Sequence, residues 1–222
     1  MSHDKSAMKI GVDGALLGAW ADAKGINILD VGTGCGLLAL MLAQKNSNAF
    51  VLGIDIDSAA TDEAQENFKN SQWASRMKSQ NCNLLGLDMG NCFDNIICNP
   101  PFFEGGVKAN SEQRHLARNT ESLSPENLAQ QVKKLLTDKG IFSVIYPVKI
   151  AVDFVKMAEE QGLYLNRYVE VFPVVEKTAH RWLMEFSNKK KEVEERQLYI
   201  RTNDGSYSEE YKKMCSDFYL AF

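Results

Sequence analysis

Asn99, Pro100, Pro101 and Phe102 stand in a row directly after an apolar run of strand length, residues 93–98. Two consecutive prolines fix φ and remove two backbone donors, which leaves a stiff loop whose carbonyls can accept hydrogen bonds. The Asn99 side-chain oxygen and the Pro100 carbonyl can then grip both hydrogens of one NH2 group, while the Phe102 ring offers a flat face to a planar substrate. An amide or ring amine delocalises its lone pair into a π system and is a poor nucleophile. Two acceptors pulling on its hydrogens draw the nitrogen towards a tetrahedral shape and stabilise the charge that develops on it during group transfer. Asn99, Pro100 and Phe102 are therefore the expected catalytic set. The plain alternative is an Asn-Pro-Pro turn without chemistry.

A second group lies upstream. Asp30-Val31-Gly32-Thr33-Gly34-Cys35-Gly36 follows one apolar run and opens a helix-like one. Glycines in such a loop let the backbone turn sharply and approach a ligand without Cβ clashes. The motif alone is weak, because nicotinamide and flavin enzymes carry related loops. Asp55 adds weight, because it ends the next apolar run at the edge where open α/β sheets bind ligands. Its carboxylate can accept both hydroxyls of a ribose, with Ile56 beside it, while Asp57 suits the cap of the following helix.

The elements that must position these groups alternate in type. Residues 26–31, 50–54, 93–98 and 141–146 read as buried strands, and residues 37–45, 58–70, 125–137 and 150–161 as helices. Ser58 and Ser124 are plausible N-caps, and Pro125 suits a first helical position. Residues 77–82 are too polar for a clear third strand. Residues 164–171 and 182–186 read as two strands joined by a loop, with one further strand expected at 198–201. The pattern is an α/β fold with a mostly parallel sheet. With no repeat or low-complexity block, residues 1–222 read as a single domain: an N-terminal segment at the site (1–25), a core (26–187) and a tail packed on it (188–222).

Composition narrows the class. Apolar residues make up 45% and charged residues 24% of 222, which suits a globular chain with a full core. No apolar run is long enough to cross a bilayer, and the start lacks a secretion signal, so a cytoplasmic location is expected. The five cysteines are odd in number and never spaced Cys-x-x-Cys, which argues for reduced thiols and against a zinc site. None of the three histidines has metal-ligand company. A net charge of −4 weighs against nucleic-acid binding by bulk charge, so any RNA must meet a local basic patch.

The glycine loop, Asp55 and the closing strand pair resemble the class I methyltransferases over nearly the whole chain. That resemblance implies a Rossmann-like, seven-stranded, mostly parallel sheet with an antiparallel last strand and helices on both faces. It also implies S-adenosylmethionine, a sulfonium that needs no phosphate-binding helix end. The stretch from Met8 to Trp20 (MKIGVDGALLGAW), the stretch from Arg114 to Arg118 (RHLAR) and the closing Asp217-Phe218-Tyr219-Leu220 are similar to the bacterial tRNA1(Val) adenine-N6 methyltransferases. This family resemblance implies N6-methylation of the adenosine just 3′ of the anticodon. The chain departs from the family in three places. The longer basic arm usual before His3-Asp4 is not seen, Val12 stands where Thr is usual, and Asn83 falls where an acidic residue receives the cofactor adenine. Asp88 is the runner-up for that last role.

The expected cofactor set is thus Asp13, Asp30, Gly32, Gly34, Gly36, Asp55, Ile56 and Asn83. Asp13 either helps hold the cofactor's ammonium or caps a helix, and Asp30 orients the loop or a water. Lys108, Arg114, His115, Arg118 and Arg181 are the candidate contacts to tRNA phosphates, which set position rather than sequence; a solvated charged loop is the alternative. No metal, membrane or obligate protein partner is evident. Two other functions stay open. One is N5-methylation of a protein glutamine, although that family carries an extra helical domain. The other is a binding module that has lost activity.

Overall fold

A computed structural model describes residues 11–101 and 123–219. Phe102, Lys108, Arg114, His115 and Arg118 lie outside the described residues. Among the described residues eight strands form one sheet in the order β3-β2-β1-β4-β5-β7-β6-β8. They are β1 (Asn27–Val31), β2 (Phe50–Asp55), β3 (Met77–Asn81), β4 (Phe93–Cys98), β5 (Leu136–Pro147), β6 (Tyr164–Val174), β7 (Arg181–Ser187) and β8 (Glu194–Arg201). Strands β1 to β5 are mutually parallel, and β7 runs antiparallel between β5 and β6. The expected antiparallel strand is therefore present, but the sheet has eight strands rather than seven. The addition is β8, which pairs parallel to β6 along seven register positions and brings the tail into the sheet.

Side chains alternate between the two faces along each strand. Ile28, Ile97, Ile145 and Leu183 point to one core, and Leu29, Ile96, Val144 and Met184 to the other. The first core is closed by α1 (Val12–Trp20), α2 (Leu37–Lys45), α3 (Ser58–Lys69) and α6 (Glu209–Cys215), the second by α4 (Pro125–Leu135) and α5 (Val148–Glu160). Strands buried on both faces carry apolar residues on both, as Ile28 and Leu29 of β1 and Ile96 and Ile97 of β4 do. The polar MKSQN of β3 has the complementary explanation: β3 is an edge strand with Met77 as its only buried residue.

Several boundaries shift. Helix α4 stops at Leu135, two residues before the expected end, and Leu136 pairs with Phe93 of β4. The next ladder partners are Asn95 and Ile141, so residues 137–140 form an excursion, and the regular strand begins where the apolar run does. Ser124 caps α4 by accepting from Asn127 N–H at 3.1 Å. Asp57, not Ser58, caps α3, accepting from Ala59 N–H at 2.9 Å, an interaction worth about 1 kcal/mol.

Candidate active site

The lip of the sheet gathers the chemistry. Val31 and Cys98 are register partners on neighbouring parallel strands, so Gly32 and Asn99 leave the sheet side by side. After β1 the chain turns through Gly32, Gly34 and Gly36 with φ of 69°, 54° and 87°. At Gly36 the need is steric as well, because a Cβ would come within 2.5 Å of the Phe68 ring. At Gly32 and Gly34 a Cβ would meet no atom within 4 Å, which leaves an open cradle over the backbone.

Two aspartates hold that cradle. Asp30 is fully buried and accepts from Thr33 Oγ1 at 2.7 Å and from Ala39 N–H at 3.1 Å. It thereby supplies a carboxylate to the N-terminus of α2, whose own N-cap, Gly36, has no side chain to offer. Burial pushes the Asp30 carboxyl up to about 7, and the nearby Asp55 charge adds to the shift. Its second oxygen, Oδ1, is buried without a hydrogen-bond partner. Asp55 accepts from Gly34 N–H and from Asp57 N–H, both at 3.0 Å. Burial, with Asp30 and Asp55 close by, drives the Cys98 thiol well above its ordinary range. Asp30 and Asp55 thus set two acidic side chains at the lip.

Three residues that sequence reasoning did not single out support these groups. Asn81 donates from Nδ2 to the backbone oxygens of Asp55 (3.0 Å) and Ile56 (2.9 Å), fixing the chain at the end of β2. Thr33 ties the loop to Asp30, and Gly53 of β2 leaves room for it, since a Cβ there would lie 2.6 Å from Thr33 Oγ1. The signal for Asn81 was the unusual polarity of residues 77–82. Ile56 stands 52% exposed beside Asp55, an apolar surface next to an acceptor. Asn83 is exposed and spends one acceptor site on Leu85 N–H at 3.0 Å, capping a single 3₁₀ turn (Leu84–Gly86).

Asp13 and Arg181 take unexpected roles. Asp13 is not the N-cap of α1; that position is Gly11, and Asp13 is the second helical residue. Its carboxylate receives Arg181 Nε at 2.9 Å, and the two side chains are 21% and 16% exposed. The residues expected to meet cofactor and RNA separately are thus joined to each other, across helix and sheet. Next to Asp13, the Cβ position of Gly14 lies 3.7 Å from Asn99 Nδ2 and 3.5 Å from Leu37. The first turn of α1 therefore lies beside the Asn99 amide, with room for one carbon between them.

The methyltransferase small domain family matches residues 11–146. A tRNA1(Val) (adenine(37)-N6)-methyltransferase of Vibrio vulnificus is 41% identical over 99% of this chain and 92% of its own length. The chain belongs to the tRNA1(Val) (adenine(37)-N6)-methyltransferase family. Further members from Trichodesmium erythraeum (41% identical, 99% of this chain and 94% of theirs) and Flavobacterium psychrophilum (40%, 99% and 96%) carry the same name. Among solved structures, a protein described as a predicted O-methyltransferase from Agrobacterium tumefaciens superposes with TM-score 0.71 over 92% of this chain and 96% of its own, at 16% identity. A TehB-like SAM-dependent methyltransferase from Corynebacterium glutamicum does so at 0.55 over 81% and 89%, at 22% identity. These likenesses establish the class I methyltransferase fold.

S-adenosylmethionine fits the residues present in this methyltransferase: an open glycine cradle, an unpartnered buried carboxylate oxygen on Asp30 and the Asp55 carboxylate beside the loop. Among the described residues no group of three or more His, Cys, Asp or Glu could hold a metal ion, and no helix is long and apolar enough to cross a membrane. All five cysteines are free thiols.

Proposed function

We propose that this chain uses S-adenosylmethionine to methylate N6 of an adenosine in tRNA, at the position beside the anticodon of valine tRNA. The observation that carries the reading is the adjacency of Gly32 and Asn99 at the ends of paired strands β1 and β4. Neighbouring strands lie about 4.8 Å apart, so a methyl donor over the glycine turn and an amine held at Asn99-Pro100 share one lip. The names of the near full-length relatives supply the substrate.

The cofactor supplies an electrophilic methyl group on a positively charged sulfur. Gly32, Gly34 and Gly36 bring the backbone close to it, Asp55 accepts its ribose hydroxyls and Ile56 covers its adenine, with Asn83 or Asp88 receiving the adenine amine. Asp30 orients the loop from beneath. On the substrate side, the Asn99 oxygen and the Pro100 carbonyl accept the two amine hydrogens, and Phe102 stacks on the base, an interaction worth about 1–3 kcal/mol. The methyl group would pass from sulfur to nitrogen, the S–C bond breaking with its electron pair left on the sulfur as the N–C bond forms; the acceptors stabilise the positive charge that moves to nitrogen, and one N–H proton leaves to solvent. No strong base is required. Lys108, Arg114, His115 and Arg118 are assigned contacts to tRNA phosphates, the local basic set that a chain of net charge −4 needs. The reaction takes place in the cytoplasm, carried out by one domain spanning residues 1–222.

The test is incubation with isotope-labelled cofactor and unmodified total tRNA, followed by mapping of the methylated nucleotide. Label on N6 of the adenosine 3′ to the valine anticodon is expected. Asn99→Ala should abolish transfer while cofactor affinity, by calorimetry, stays within about threefold. Label in protein rather than RNA, or equal loss of both properties in Asn99→Ala, overturns the reading.

A further inference from the structure

Helix α1 is weakly fixed by its own sequence. It spans nine residues, and its N-cap, Gly11, makes no side-chain bond. Arg181, by contrast, is built into the sheet. It is the first residue of β7, in register with Pro147 of β5 and Val171 of β6, and its Nη1 donates to the His180 carbonyl at 3.0 Å. Its Nε–Asp13 bond is a polar link between that rigid frame and the first turn of the helix, beside the apolar packing of Leu16 and Leu17 further along it. A carboxylate in the first turn also complements the helix dipole.

We infer that Arg181 is a positioning residue for the Asn99 amide, acting through Asp13 and the first turn of α1. The inference rests on the proposed role of Asn99 as acceptor for the target amine. Gly14, next after Asp13, presents no side chain; a Cβ there would lie 3.7 Å from the Asn99 amide nitrogen, so the first turn faces that amide across the space of one carbon. With the turn on the nitrogen side of the planar amide, the oxygen lies on the other branch, available to the amine. Without the clamp the first turn shifts, and the amide loses its preferred orientation. Displacement of an acceptor by about 1 Å costs on the order of 100-fold in rate.

Three substitutions separate this role from direct contact with either ligand. Arg181→Ala and Asp13→Asn should each lower kcat for methylation of unmodified tRNA about 10- to 100-fold, with the KM for S-adenosylmethionine within about threefold of wild type. Arg181→Lys, which keeps a donor for Asp13, should recover most of the lost kcat. Wild-type kcat in Asp13→Asn would overturn the inference, as would a raised cofactor dissociation constant with kcat intact, which would make Asp13 a cofactor ligand. A raised KM for tRNA in Arg181→Ala, with Asp13→Asn neutral, would also overturn it by assigning Arg181 to the RNA. Thermal melts guard against simple unfolding: loss of kcat that Arg181→Lys leaves uncorrected while restoring the melting temperature counts against positioning. Asn99→Ala is measured in parallel. If it still transfers methyl groups, the reading of Asn99 fails; if it is inactive while Asp13→Asn is normal, only the clamp fails.

Discussion

Gly34 donates its backbone N–H to the Asp55 carboxylate at 3.0 Å, which ties the glycine turn leaving β1 to the end of β2. One side chain thus shapes the cradle and lines it. Asp55→Ala removes both functions, and a tenfold or greater rise in the cofactor dissociation constant is expected by calorimetry. Asp55→Asn keeps one acceptor oxygen and should fall between. Unchanged affinity in Asp55→Ala would remove Asp55 from the cofactor site.

Asp30 links the site to pH. Its folded pKa of about 7 lies above the ordinary carboxylate value, because burial disfavours the charge. A raised carboxyl pKa means that the folded state holds the proton where the unfolded state has released it. The stabilising contribution is therefore complete below about pH 4 and is lost as pH rises towards 7. Asp30→Asn removes this titration. Thermal melts from pH 5 to 8 should show the wild-type melting temperature falling relative to that of Asp30→Asn, and parallel curves would contradict the assignment.

Gly36 combines a positive φ with contact against Phe68. Gly36→Ala is therefore strained twice, by backbone and by overlap, at about 2–3 kcal/mol. For a chain of this length that corresponds to a drop of roughly 5–10 °C in melting temperature. Pairing it with Phe68→Leu should recover part of the loss, since the overlap is with the ring.

Gly14 tests the space beside Asn99 directly. An added Cβ would make ordinary contacts with Asn99 and Leu37, so Gly14→Ala should keep activity within about threefold. Gly14→Val carries two further carbons on that Cβ, aimed at the same neighbours, and should lower kcat at least tenfold. Equal activity in the two variants would show that the space beside Asn99 is not limiting.

The central strands, the glycine turn and the Asn-Pro-Pro corner were legible because each is encoded within a few residues: apolar runs, positive-φ glycines, paired prolines. What the sequence hid was pairing at a distance. Met77–Asn81 looked too polar for a strand because it lies at the sheet edge, where polar side chains are admissible and where Asn81 holds the backbone of Asp55 and Ile56. Strand β8 was legible only over residues 198–201, because its first four residues are exposed at the opposite edge. Asp13 and Arg181 were each legible as charged groups near the site, but no local pattern predicts that residues 168 positions apart neutralise each other.

That separation also governs when the enzyme becomes competent during its own synthesis. The portion shared across the methyltransferase small domain family ends at residue 146, and Arg181 emerges from the ribosome 35 residues later. A nascent chain halted at residue 146 can already present the glycine turn and the strands on which Leu16 and Leu17 pack, yet the first turn of its first helix still lacks the Arg181 bond. Contacts between distant parts of a chain form late, so methyl transfer should appear only after β7 has joined the growing molecule.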